Sequence, residues 1–134
     1  MNQTIERTRV LLVEADAERQ ALLAGVLEQA GFAAATAEAG ERALMILRQW
    51  PRCVEWLVAR SGLPGLVDGW MLAEEFHQTD PGRPVLLSSD EVQRSSQPHA
   101  IAVDFASPAD VVGTLRSLVS GMASPAQAIT AWAA

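Results

Sequence analysis

Thr8-Arg9-Val10-Leu11-Leu12-Val13-Glu14-Ala15-Asp16 is the stretch that decides the fold. Four consecutive apolar residues, Val10 to Val13, make a run too short for a helix and without the alternation of a half-solvated strand. A strand apolar on both faces belongs in a parallel sheet with helices covering each side. Immediately afterwards, Ala17 to Ala30 spaces Leu22, Leu23, Val26, Leu27 and Ala30 along one helical face, and Gly31 stands where a helix is capped. Strand followed by amphipathic helix is the first half of a crossover unit, and the same alternation continues along the chain.

Phe32 to Thr36 reads as a second, alanine-rich strand near a sheet edge. A helix from about Gly40 to Trp50 turns Ala43, Leu44, Leu47 and Trp50 inward, and Pro51 ends it. Val54 to Ala59 is the third strand. The loop Arg60 to Gly69 holds three glycines and one proline, which preclude regular structure. A third helix runs from about Trp70 to Gln78 and a fourth strand from Val85 to Ser88. Asp90 to Gln97 lacks an apolar stripe, so the helix between the fourth and fifth strands is expected to be shortened or absent. Ala100 to Phe105 is the fifth strand. Pro108 to about Gly121 forms the final helix, with Val111, Val112, Leu115, Leu118, Val119 and Met122 on one face and proline in its first turn. The pattern is α/β, a doubly wound parallel sheet of nearly five β-α units. It divides into an arm (1–7), a domain (8–122) and a tail (123–134), which reads either as a frayed end or as a short helix opened by Ser124-Pro125 and docked on this domain or on a partner, with Ile129 and Trp132 as candidate contacts.

With 134 residues, 49% of them hydrophobic, the chain suits one domain. Ten basic against sixteen acidic residues give a net charge of −6 and no basic cluster, which argues against nucleic acid and against an anionic membrane surface. All ten basic residues are arginine. Lysine chemistry, from Schiff bases to a phosphate-loop ammonium, is therefore excluded. Cys53 is the sole cysteine, so no intrachain disulfide or cysteine-based metal site forms, and a small buried hydrophobe in a reducing cytoplasm is expected. No stretch approaches the ~18–20 apolar residues of a membrane span.

In open parallel sheets the functional crevice lies beyond the carboxyl ends of the strands. The residues there are Glu14, Ala15 and Asp16 after strand one, and Arg60 and Ser61 after strand three. Ser88, Ser89 and Asp90 close strand four, and Ala106, Ser107 and Pro108 follow strand five. Glu14 and Asp16 would repel a nucleotide phosphate, and the glycine fingerprint of dinucleotide sites is missing from that turn. His77 and His99 lie in no motif, and no histidine is placed to activate a serine. Glu74 and Glu75 belong to a solvated helix face, while Trp50, Trp56 and Trp70 are expected in or around the core.

Arg9 to Glu14, Gly31-Phe32, Ala37 to Leu44, Leu63-Pro64, Asp68-Gly69, Arg83 to Ser89 and Phe105 to Pro108, in this order and spacing, resemble the receiver domain of two-component response regulators. The resemblance spans roughly Thr8 to Met122 and implies a flavodoxin-like sheet of order 2-1-3-4-5. It also implies an acidic pair holding Mg²⁺, a phosphoacceptor aspartate, a switch hydroxyl and a lysine. Glu14 fills the first acidic position, but the second falls on Ala15, with Asp16 one residue late and suited to capping the helix. The acceptor position falls on Arg60, or on Ser61 when counted from Asp68-Gly69. Ser89 matches the switch hydroxyl and Ser107 the lysine position. Glu14, Asp16, Arg60, Ser61, Ser89 and Ser107 thus outline a degenerate phosphorylation pocket, without catalytic residues, metal or cofactor. Arg60 is expected to bridge Glu14 and Asp16. The function implied is that of a stand-alone pseudo-receiver, not an enzyme. It would act by protein–protein interaction with a histidine kinase, another regulator or itself as a homodimer. Loss of the helix before strand five would leave the family's usual output face in doubt. The alternatives are a conventional Mg²⁺-dependent phosphorylatable receiver and a small-molecule-binding flavodoxin-like module.

Overall fold

The computed structural model describes residues 7–88 and 100–133, with 122–133 as backbone alone. Five parallel strands, β1 (Arg9–Val13), β2 (Ala33–Ala37), β3 (Trp56–Ala59), β4 (Val85–Ser88) and β5 (Ala100–Val103), form one sheet in the order β2-β1-β3-β4-β5. This is the flavodoxin-like order the sequence implies. Four helices are described, α1 (Ala17–Gln29), α2 (Gly40–Gln49), α3 (Gly69–Thr79) and α4 (Pro108–Ala133).

The pleat sends alternate residues of each strand to opposite faces, which makes two cores. Leu11, Val13, Leu57, Ala59 and Leu87 pack under Ala43 and Leu47 of α2 and Leu72, Ala73 and Phe76 of α3. Val10, Leu12, Val58 and Leu86 pack under Leu23 and Leu27 of α1 and Val111 and Leu115 of α4. Each fully buried leucine or valine contributes about 1.5–3 kcal/mol of apolar transfer. That double burial is why Val10 to Val13 are all apolar.

Several expected positions move. Leu22 is 56% exposed, because the buried stripe of α1 is centred on Leu23 and Leu27. Trp50 is 54% exposed rather than inward. The proline after it disfavours helical backbone at Trp50, so α2 stops at Gln49 and the indole leaves the stripe. Trp56 is buried and Trp70 packs against the α2–α3 core, as expected. Cys53 is exposed, in the turn before β3, contrary to the buried hydrophobe expected. The final helix does not end near Gly121 but runs to Ala133 through Pro125. Strong helix formers on both sides, Met122, Ala123, Ala126 and Ala128, carry it past the one missing N–H. Ser89, His99 and the whole 90–98 segment lie outside the described residues, as do the side chains of Ile129 and Trp132.

Candidate functional site: a crevice closed by arginine

β1 and β3 are neighbours, with Val13 opposite Ala59, and the Arg60 N–H donates to Val13 O at 3.0 Å, extending the ladder one residue further. This register sets Glu14 and Arg60 side by side where the strands end. The Glu14 side chain is buried, 4% exposed. Its Oε2 accepts the Asp16 N–H at 3.0 Å, while the Glu14 carbonyl takes the Gln20 side-chain amide at 2.9 Å. Oε1 has no hydrogen bond and faces two cations, Arg60 Nε at 3.8 Å and Arg19 Nη1 at 3.9 Å. A buried carboxylate without such neighbours would be costly to keep charged. Arg60 also lies over the buried Phe105 ring, 5.8 Å from its centroid, a cation–π contact.

Asp16 is not bridged in the way expected. Its side chain caps α1, accepting the Arg19 N–H at 3.0 Å from an extended backbone. That bond chiefly, with the charges of Arg19 and Arg60 adding to it, holds the Asp16 carboxyl below the ordinary aspartate value. Arg60 therefore pairs with Glu14 and reaches Asp16 only through space.

Ser61 follows Arg60 and is buried against Ser88, the last residue of β4. The Ser61 N–H donates to Ser88 Oγ at 2.9 Å, and the two hydroxyl oxygens lie 3.0 Å apart. Behind them the Gly69 N–H donates to Ser61 O at 3.0 Å, tying the far end of the loop to its start. Ser107 belongs to the start of α4, where its carbonyl and hydroxyl face the N–H groups of Val111 and Asp110 at 3.3 and 3.4 Å.

Glu14, Asp16 and Arg60 thus converge, Ser61 is diverted into a buried hydroxyl pair, and Ser107 is committed to a helix end. Arg19 and Phe105 are site residues that the sequence did not single out, and Ser88 was placed at the crevice but not in the pocket. Arg19 and Ser88 left a signal. Arg19 stands three residues after the capping Asp16, and Ser88 is a hydroxyl ending an apolar strand, where burial demands a partner.

Mg²⁺ asks for near-octahedral oxygen ligands, with carboxylates among them. Here Glu14 is the buried carboxylate, Ala15 contributes no side-chain oxygen, Asp16 is engaged in the cap, and two guanidinium groups already face Glu14. Among the described residues no three acidic, histidine or cysteine side chains converge as a metal site. The donor set does not fit the ion. Neither Arg60 nor Ser61 offers a carboxylate from which an acyl phosphate could form, and the Ser61 hydroxyl is buried and bonded.

A five-stranded doubly wound sheet with its polar cluster beyond the strand ends defines a flavodoxin-like α/β protein. Within that class the chain is similar to solved receiver domains. A response regulator receiver protein from Sinorhizobium medicae superposes with a TM-score of 0.78 at 20% identity, over 87% of this chain and 98% of that one. The receiver domain of the hybrid histidine kinase CckA gives 0.65 at 24% identity, over 84% and 96%. The receiver domain of a sensor histidine kinase from Pseudomonas aeruginosa, with a magnesium ion coordinated in its active-site cleft, gives 0.67 at 18% identity, over 86% and 99%. No family model matches the sequence. No curated protein matches it either. Among the described residues no helix is long and apolar enough to cross a membrane.

Proposed function

We propose that this chain is a pseudo-receiver, a cytoplasmic receiver-fold protein of two-component signalling that works by protein–protein contact and without aspartyl phosphorylation. The observation that carries the reading is Arg60 at the acceptor position, its Nε 3.8 Å from the buried Glu14 carboxylate. A permanent cation stands in the crevice where a receiver would gather Mg²⁺, and no lysine exists anywhere in the chain to steady a phosphoryl group. The Ser61–Ser88 pair supports the same reading, since it fills the space beside the acceptor with a bonded, inward-facing hydroxyl. A protein so arranged has no phosphotransfer chemistry to perform. It can still present the surface of a receiver to a histidine kinase or to another regulator.

Incubation with acetyl phosphate and Mg²⁺, read by intact mass, tests this directly. The mass is expected to stay unchanged. A stoichiometric phosphoryl adduct would overturn the pseudo-receiver reading in favour of a conventional receiver.

A further inference from the structure

Among the described residues β2 is an outer strand of the sheet, paired on one side only. Ala33 N–H donates to Thr8 O at 2.8 Å and Glu14 N–H to Ala37 O at 3.1 Å, so the odd positions face β1. By the alternation of a strand, Ala34 and Thr36 turn their N–H and C=O groups away from the sheet. Such a row is a template for another strand. Natural edges are commonly blunted by charge, proline or a bulge, and Ala33-Ala34-Ala35-Thr36-Ala37 carries no charge and no proline. Its small side chains leave nothing to obstruct a neighbour at the usual spacing of about 4.8 Å.

Among the described residues, one side chain from outside the strand intervenes. Glu28, in the last turn of α1, places Oε2 on the Ala34 N–H at 2.9 Å, and its Oε1 is held by Arg7 Nη1 at 3.0 Å. The amide occupies the carboxylate and the arginine fixes its direction. We propose that Glu28, positioned by Arg7, is a plug in the β2 edge that keeps two copies of this chain from pairing edge to edge. A second copy is the occupant the edge fits best. Two identical alanine strands related by a two-fold axis run antiparallel and meet donor to acceptor at Ala34 and Thr36. Beside the edge, an open apolar cavity of about 390 Å³, lined by Ala33, Ala35, Ile46, Trp50 and Val54, would be covered by the same docking. None of the crevice residues takes part, so the plug stands apart from the pseudo-receiver reading.

Sedimentation velocity from micromolar to sub-millimolar protein, with amide exchange resolved at Thr36, tests it. Glu28→Ala is expected to form a concentration-dependent dimer in which Thr36 exchange slows at least tenfold. Glu28→Gln, which keeps an acceptor for Ala34, should behave as the parent chain. Adding Thr36→Pro to Glu28→Ala should abolish the dimer, because proline removes the outward N–H. Should Glu28→Ala fail to fold, Arg7→Ala, which only loosens the carboxylate, is expected to give a smaller dimer fraction at the highest concentration. The proposal is overturned if the folded variants keep the parent's mass throughout. A dimer that leaves Thr36 exchange unchanged, or a parent chain already paired at Thr36, overturns it equally.

Discussion

Glu14 shows how one side chain can set the character of a site. Its carboxylate is out of water, one oxygen bonded to backbone and the other facing Arg60 and Arg19 near 4 Å. Removing Arg60 leaves a buried charge with one compensating cation, so Arg60→Ala is expected to destabilise the fold by about 1–3 kcal/mol at neutral pH. Denaturant melts measure this, and Glu14→Gln in the Arg60→Ala background should recover part of the loss. An unchanged midpoint in Arg60→Ala would show that the pair contributes nothing. Asp16 contributes to the pH dependence, alongside Glu28 and Glu41, whose carboxylates are also held low by backbone N–H groups. Its folded carboxyl titrates below the ordinary value because the Arg19 N–H bonds the charged form. The stabilisation is therefore complete above the usual aspartate range, pH ~4, and is lost as pH falls through the lower folded value. Asp16→Ala should lower stability at neutral pH and flatten its decline below about pH 4, whereas an acid limb of undiminished steepness would contradict the assignment.

Between elements, close approach matters more than propensity. A Cβ at Gly69, the first residue of α3, would lie 2.1 Å from the Arg60 carbonyl oxygen, so the loop closes only over glycine. Gly69→Ala is expected to cost about 2–4 kcal/mol through the forced shift of the Arg60–Ser61 backbone. By contrast, Gly25 sits mid-helix in α1 with no neighbouring element within 4 Å of where a methyl would stand, and Gly25→Ala should stabilise by about 1 kcal/mol. Thermal melts of the two variants should move in opposite directions. The strands were legible because double burial writes itself as apolar runs, and β4 was located to the residue. Element ends were less so. Trp50 follows the helical spacing of α2 yet is released by the proline after it, and Pro125 resembles a break that flanking helix formers override. At the crevice, the place of Arg60 could be counted from sequence. The Ser61–Ser88 bond could not, since it joins residues 27 apart through a strand pairing that no local pattern encodes.

The whole molecule divides its work between the two ends of one sheet. Two cores, one under α2 and α3 and one under α1 and α4, hold the strands rigidly enough to bring Glu14, Arg60 and Ser88 to the same rim. The opposite rim carries structural contacts of its own. Arg83 stacks over Trp56 with its Cζ 5.0 Å from the ring centroid, and Arg9 Nε donates to Cys53 O at 2.6 Å. The Ser61–Ser88 bond has a consequence at this scale. It joins β4 directly to the loop after β3, so neither element can be repositioned without breaking a buried contact. Within the pseudo-receiver proposed above this bond acts as a latch: moving β4 against the loop strands two hydroxyls away from water, a penalty of about 1–3 kcal/mol on any second shape.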